Sequence, residues 1–194
     1  MKFSIDKKTL LMSLSRIQGI VDKAGIKPIT SNVLIEASKD HISFSATNLQ
    51  LGIVATYASQ GIITEGRISV NARKLYDIVR ELPDTEIVFT EKDNYKIEIH
   101  CEDTVHFTII GLPPEDFPLF TKQEEESKQV EWNTEKLLSL ISLTSFSISK
   151  DDEIKQNIRG AFIENVEAQK TRMVTTDGYR LSIKDDVLGD KIES

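Results

Sequence analysis

FSIDKKTLLMSLSRI (residues 3–17) and VEWNTEKLLSLISLT (residues 130–144) decide the fold: each is a strand end running into a helix, with a Leu-Leu pair at the same place. The likeness continues downstream. NVLIEA (32–37) is answered by GAFIEN (160–165), and ISFSATNLQLGI (42–53) by RMVTTDGYRLSI (172–183), shifted by a residue or so. Self-similarity kept up at a fixed spacing marks a duplicated structural module.

Within the first copy, Leu10, Leu14, Ile17 and Val21 recur at helical spacing and form one apolar stripe, which predicts a helix over 7–23. After Pro28 the pattern becomes short β-branched and aromatic runs, NVLIEA (32–37), HISFSA (41–46) and LGIVATYA (51–58), which reads as a meander of strands. A second helix is expected over 72–82, with Leu75, Ile78, Val79 and Leu82 on one face. Pro83 stops it, because the residue before a proline is pushed out of the helical region. Three more strands follow, TEIVFT (85–90), YKIEIH (95–100) and VHFTII (105–110). From Met1 to Ile110 the order is therefore strand, helix, three strands, twice over.

LPPEDFPLFTKQEEESKQ (112–129) carries three prolines and then an acidic run, so it continues neither a helix nor a central strand. The organisation expected is a complete domain over 1–118, a linker over 119–129, and the first half of a second domain over 130–194. The fold class is α+β, with repeated strand-helix-three-strand half-units that place helices on one face and antiparallel sheets on the other.

With 194 residues and 39% hydrophobic content, the chain has enough apolar material for one large or two small cores. Nothing in its formal charge of -7 suggests general affinity for nucleic acid, so any such contact needs a local basic surface. A lone cysteine, Cys101, rules out an internal disulfide framework and fits a reducing compartment, with the cytoplasm the expected location. The N-terminus lacks the continuous apolar segment of a signal peptide. The longest apolar run, LLSLISLTSFSI (137–148), is interrupted by Ser and Thr and is shorter than the roughly 18 residues of a membrane span, so no membrane association is expected.

Catalytic chemistry finds no support. His100, Cys101 and His106 suggest zinc, but strand alternation puts His100 and Cys101 on opposite faces, and no second ligand pair follows at structural-site spacing. Asp151, Asp152 and Glu153 are a solvated acidic loop, or, on a rival reading, the carboxylates of a metal-dependent nuclease. No phosphate-binding glycine loop, GxSxG or nucleophile arrangement occurs, so no catalytic residue, metal or cofactor is expected.

Helix 7–23 turns Lys8, Arg16 and Lys23 away from its apolar stripe, and helix 72–82 does the same with Arg73 and Arg80. Any surface helix shows charge there, and Asp22, Asp77 and Glu81 dilute it. In TTDGYRL (175–181), Asp-Gly is a hairpin signal whatever else the segment does.

MKFSID with its following leucines, SNVLIEA, ATNLQLGI, ARKLYDIVRELP, LPPEDFP, FSISKDD and VTTDGYRL, in this order, resemble the bacterial DNA sliding clamp family, the beta subunit of the replicative DNA polymerase III. The resemblance covers essentially the whole chain. It implies a non-catalytic processivity factor with three similar domains per chain, two chains closing head to tail into a homodimeric ring around duplex DNA. The chain matches the first domain and about half of the second. The family's third domain supplies one side of the ring interface and part of the partner groove.

By this resemblance Lys8, Arg16, Lys23, Arg73, Arg80 and Lys150 face DNA, meeting phosphates without base-specific bonds. Lys155, Ile158, Thr176, Gly178, Tyr179, Arg180 and Leu181 match the groove that takes short linear peptides from the polymerase and clamp loader. Lys74, Ile78, Phe107 and Ile109 match the ring seam. Without the resemblance, Phe107 and Ile109 read as core residues of a strand. Two positions depart from the family pattern: Tyr179 stands where His is common, and Lys155 precedes NIRG where an Arg precedes Leu-Asn-Gly. The alternative reading is a shortened clamp-like module that binds peptides and closes no ring.

Overall fold

The computed structural model describes residues 1–21, 28–59, 61–102, 105–118, 130–149, 158–167 and 170–189. The chain forms two compact units, Met1–Thr121 and Lys122–Ser194.

In the first unit β1 (Lys2–Asp6) runs into α1 (Lys7–Ile17), followed by β2 (Asn32–Ser38), β3 (His41–Thr47) and β4 (Gly52–Ala58). A short strand, β5 (Ile62–Thr64), intervenes before the pattern repeats as β6 (Gly66–Asn71), α2 (Ala72–Glu81), β7 (Glu86–Lys92), β8 (Lys96–Cys101) and β9 (Val105–Ile110). The two halves exchange their first strands. One sheet has the order β4-β3-β2-β6 and the other β5-β1-β7-β8-β9, all neighbours antiparallel. The registers are reciprocal: Ser69 of β6 lies opposite Leu34 of β2, and Ser4 of β1 opposite Val88 of β7. Across the second exchange Phe3 and Phe89 stack with centroids 4.8 Å apart and planes 6° from parallel, burying both rings. Offset aromatic pairs add about 0.5–1.5 kcal/mol beyond their burial.

The helices lie antiparallel and are tied at both ends. Gln18 Nε2 donates to the carbonyl of Ala72 at 3.1 Å, while Lys7 Nζ donates to the carbonyls of Arg80, at 3.1 Å, and Leu82. A lysine there meets unpaired carbonyls and the negative end of the α2 dipole. Between helices and sheets, Leu10, Leu14 and Ile17 of α1 and Leu75 and Val79 of α2 join Val33, Ile35, Phe44, Ile68, Ile87 and Ile99 in one continuous core.

The second unit contains the same half once. After a bridge from Trp132 to Gly189 come α3 (Thr134–Thr144) and a three-stranded sheet of β10 (Phe162–Glu167), β11 (Lys170–Thr176) and β12 (Leu181–Asp186). Its core is small, with Leu140, Met173 and Leu188 buried and Trp132, Leu137 and Ile163 packed on them.

Each helix starts by the same physics. Asp6, Asn71 and Asn133 hold extended backbone and accept from the amides of Thr9, Lys74 and Lys136 at 2.9–3.0 Å. Such side-chain caps contribute about 1 kcal/mol each. Two residues before each cap a glycine presses on the strand: Gly61 on Ser4, Gly111 on Ser69 and Gly189 on Glu131. A Cβ at Gly111 would lie 2.6 Å from the carbonyl oxygen of Ser69. These signatures make the half-module triplicated, twice in the first unit and once in the second.

Three expectations need correction. α1 ends at Ile17, not at 23: the chain turns through Ile20 and Val21, whose amides both return to the Ile17 carbonyl, and Val21 still packs on the core from outside the helix. α2 ends at Glu81, with the Leu82 amide donating to Val79 ahead of Pro83. Apolar periodicity extends past both ends because a residue just beyond a helix can still face the core. Finally, β5 was not anticipated; three residues are too few to show alternation, and β5 exists because β1 offers it an open edge.

Gly111→Ala forces its methyl onto a backbone oxygen that cannot move without breaking the Ser69–Leu112 bridge. A loss of about 1–3 kcal/mol is expected in chemical denaturation; an unchanged midpoint would remove the close approach from the list of constraints.

Candidate functional site

The turn between β11 and β12 is built from side chains bonding to backbone. Thr176 Oγ1 donates to the Arg180 carbonyl at 2.7 Å and accepts from the Gly178 amide at 3.0 Å. Asp177 Oδ1 accepts from the amides of Tyr179 and Arg180, both at 3.0 Å. Gly178 takes φ 89°, where an L side chain is strained.

The first unit repeats this turn between β3 and β4. Thr47 Oγ1 donates to the Leu51 carbonyl and accepts from the Leu49 amide, and Asn48 Oδ1 accepts from the amides of Gln50 and Leu51. The positive φ there falls on a non-glycine, Leu49, at 73°. TNLQL and TDGYR are thus one turn with two decorations.

The second-unit turn carries features that the first lacks. Arg180 Nε donates to Asp177 Oδ2 at 2.9 Å, and its guanidinium lies 5.7 Å from the ring centroid of Phe146. Phe146 follows α3 in a 3-10 turn, Ser145–Ser147, which is joined to β12 by the Ser147 and Ser182 hydroxyls at 2.6 Å. Tyr179 is 96% exposed, and Phe146, Leu181 and Ile183 are also open to solvent. Two short apolar segments and a cation therefore converge where α3 ends and β12 begins. Ile158 is half-buried, its carbonyl accepting from the Ser149 amide at 3.2 Å. Of the sequence candidates, Thr176, Gly178, Tyr179, Arg180 and Leu181 are brought together. Phe146 and Ile183 were missed: aromatic and β-branched residues in a helix-to-strand pattern carry no sign of being left uncovered.

The backbone amides of Tyr179 and Arg180, and then the Arg180 guanidinium, hold the Asp177 carboxyl below its ordinary value of 3.8. A depressed carboxylate stabilises the folded turn fully above its unfolded pKa and loses that contribution as pH falls through the folded value.

The basic candidates of the first unit divide. Lys8 is exposed but paired with Asp84 at 3.0 Å, and Arg80 is held by Glu81 at 3.0 Å and Asp77 at 3.8 Å beside the Tyr76 ring. Arg16 and Arg73 are exposed, with no carboxylate within 4.0 Å among the described residues. A concavity of about 370 Å³ is lined by Gln18, Asn71, Arg73, Tyr76, Asp77 and Arg80 among others. Lys23, Lys150 and Lys155, with Asp151, Asp152 and Glu153, lie outside the described residues.

Of the seam candidates, Lys74 and Phe107 are exposed and Ile78 is half-buried. Ile109 needs correction: its side chain is buried in the core of the first unit and offers no surface. Ile109 and Phe107 both lie on β9, the edge strand of its sheet, where Ile109 opposite Ile97 is buried and Phe107 stays open. His100 and His106 face each other across β8 and β9 with Nδ1 atoms 2.6 Å apart, whereas Cys101 points into the core. Among the described residues no cluster of three or more His, Cys, Asp or Glu is placed to hold a metal ion, and no helix is long and apolar enough to cross a membrane.

These features define an α+β protein of repeated strand-helix-three-strand modules. Residues 1–121 match the family model "DNA polymerase III beta subunit, N-terminal domain". The beta sliding clamp of Caulobacter vibrioides (strain NA1000 / CB15N) is 34% identical over 188 residues, covering 94% of this chain and 50% of the relative. The solved Caulobacter crescentus pol III beta superposes with a TM-score of 0.89 at 32% identity, over 98% of this chain and 52% of that one. A Helicobacter pylori beta clamp bound to a DNA ligase peptide shares the fold, with a TM-score of 0.82 at 23% identity, over 96% of this chain and 51% of that one. The chain belongs to the DNA polymerase III beta subunit family, the bacterial sliding clamps. It spans about half the length of the curated relatives it matches.

In a pH titration followed by NMR, the Tyr179 and Arg180 amide shifts should move with a common midpoint below 3.8 and lose that transition in Asp177→Asn. A midpoint at or above 3.8 contradicts the role of those amides in holding the carboxylate.

Proposed function

We propose that this chain provides the N-terminal portion of a sliding clamp, which holds the replicative polymerase on duplex DNA by topology. The observation that carries the reading is the family match over residues 1–121. The role is non-catalytic and cytoplasmic, and opening and loading of the ring fall to a separate ATP-driven loader.

DNA passes the helical face of the first unit. Arg16 and Arg73 make the main phosphate contacts there; Lys8 and Arg80 contribute less because neighbouring carboxylates already engage them. Contacts to phosphate alone are blind to sequence and permit sliding. The net charge of -7 keeps DNA from binding elsewhere on the surface. Lys74, Ile78 and Phe107 contribute to the ring seam.

Partner peptides dock beside the 176–181 turn. A clamp of this fold is known with a DNA ligase peptide, from Helicobacter pylori. Here the exposed Tyr179, Leu181 and Phe146 supply the apolar floor and Arg180 a polar wall. Small grooves of this composition draw affinity from a few anchors.

Arg180→Glu should weaken a polymerase-derived clamp peptide about tenfold in fluorescence anisotropy, the scale of one interface contact worth just over 1 kcal/mol, with the melting curve unchanged. Equal affinity removes Arg180 from the groove. In a full-length ring, Arg16→Glu with Arg73→Glu should shorten residence on circular DNA and reduce the salt dependence by about one unit per arginine; wild-type retention excludes both from the DNA path. Cleavage of DNA by the purified chain with magnesium or manganese would sink the non-catalytic reading.

A further inference from the structure

Two of the chain's three histidines meet at one place in the first unit. His41 pairs with its neighbour Asp40 at 2.9 Å. His100 of β8 and His106 of β9 stand directly opposite each other in the antiparallel register, so their side chains rise from the same face of the sheet. That face is the outer one. Along β8, Ile97, Ile99 and Cys101 are buried, and Lys96, Glu98 and His100 alternate with them toward solvent.

The two rings meet edge to face, with centroids 4.7 Å apart and planes at 76°, and their Nδ1 atoms are 2.6 Å apart. Nitrogens this close hold at most one proton between them, since two N–H groups would aim hydrogens at each other. The far end of His100 decides which nitrogen is bare. Its Nε2 lies 3.4 Å from Glu98 Oε2, and a carboxylate only accepts. Nε2 therefore carries the proton, and Nδ1 of the neutral ring turns its lone pair toward His106. Lys92 Nζ, 3.4 Å from the same Glu98 oxygen, adds a positive charge beside the carboxylate.

A carboxylate behind an imidazole whose other nitrogen is bare is the arrangement by which proteins orient a metal-bound histidine. Zinc-class ions bind imidazole at about 2.0–2.1 Å, which sets two ligating nitrogens about 2.9–3.4 Å apart. To admit such an ion the rings part by less than about 1 Å. Solvent-facing side chains can make that movement: the His100 side chain is 36% exposed, and His106 is exposed as well. Among the described residues no third His, Cys, Asp or Glu converges with the pair. Glu98 stands on the other side of the His100 ring, and Cys101 points into the core beside Thr85. Water completes the coordination.

We propose that His100 and His106 form a two-imidazole site for a divalent transition ion of the zinc, nickel and copper class, with Glu98 as the positioning residue that keeps His100 Nδ1 bare. The ion takes the place of the proton between the two Nδ1 atoms, and that proton moves to Nε2 of His106, so both ligands stay neutral. The chelate bridges β8 to β9, the edge strand of its sheet, and clips that edge in register. Magnesium and calcium, which favour oxygen ligands, are not held.

The test is a zinc chloride titration of the untagged 194-residue chain, followed through the histidine ring resonances in NMR. His100 and His106 should shift together and saturate at one ion per chain while His41 stays in place, and magnesium chloride should move none of the three. His100→Asn and His106→Asn should each abolish the zinc-dependent shift of the remaining partner. Glu98→Ala should weaken zinc about 10- to 100-fold, as loss of an orienting carboxylate does. In the metal-free variant it should also let the His100 proton redistribute between Nδ1 and Nε2, read from the ring nitrogen shifts; a Glu98 that acts only in folding leaves that tautomer unchanged. The proposal is overturned by ring resonances of His100 and His106 that do not respond to millimolar zinc. It is equally overturned by calorimetric zinc uptake that is the same in the His100→Asn, His106→Asn double variant as in the wild type.

Discussion

The half-module cannot bury its own surfaces. A strand, a helix and three strands leave one sheet edge open and one side of the helix apolar, and no local rearrangement closes both. The first unit closes them by exchange: β1 leaves its own half to complete the sheet of β7–β9, and β6 does the same for β2–β4. Everything else in that unit follows from the exchange, including the antiparallel helix pair, the Phe3–Phe89 stack across the joint, and a core that draws from both halves. The large first-unit core draws on two half-modules, and the small cluster of Leu140, Met173 and Leu188 on the one described in the second unit.

Repetition also explains how one scaffold carries different surfaces. The turn over 47–51 and the turn over 176–180 use the same set of bonds from a Thr hydroxyl and an Asx carbonyl or carboxylate, so their backbones are interchangeable. What differs is decoration. Asp177 in place of Asn48 introduces a charge that holds Arg180, and Arg180 in turn lies over Phe146, an arrangement that Leu51 cannot make. Backbone geometry supplies the platform and a few side chains supply the chemistry, the usual division of labour in loops on a rigid sheet.

The electrostatics follow the same economy. A protein with net charge -7 does not attract a polyanion in general, so cations that have no carboxylate within reach among the described residues, such as Arg16 and Arg73, matter individually. The carboxylates near Lys8 and Arg80 reduce what those residues offer; exposed pairs are weak, about 0–1 kcal/mol, but they occupy the donor geometry a phosphate would use. Arg16 and Arg73 remain available on their helices.

The sequence by itself determined the module and its repetition: the order of the helices and main strands, the apolar stripes and the turn at Asp177-Gly178. These are local, set by side-chain period and turn chemistry that act over a few residues. Tertiary structure alone decided which strands become neighbours. Period-two alternation assigns a face and not a partner, so nothing near Phe3 in the sequence points to Phe89. It also decided which apolar residues stay uncovered. Ile109 and Phe107 alternate on one strand yet meet different fates, and Leu14 and Ile141 occupy one position of one module yet are buried and open, because burial depends on what lies opposite and not on the residue itself.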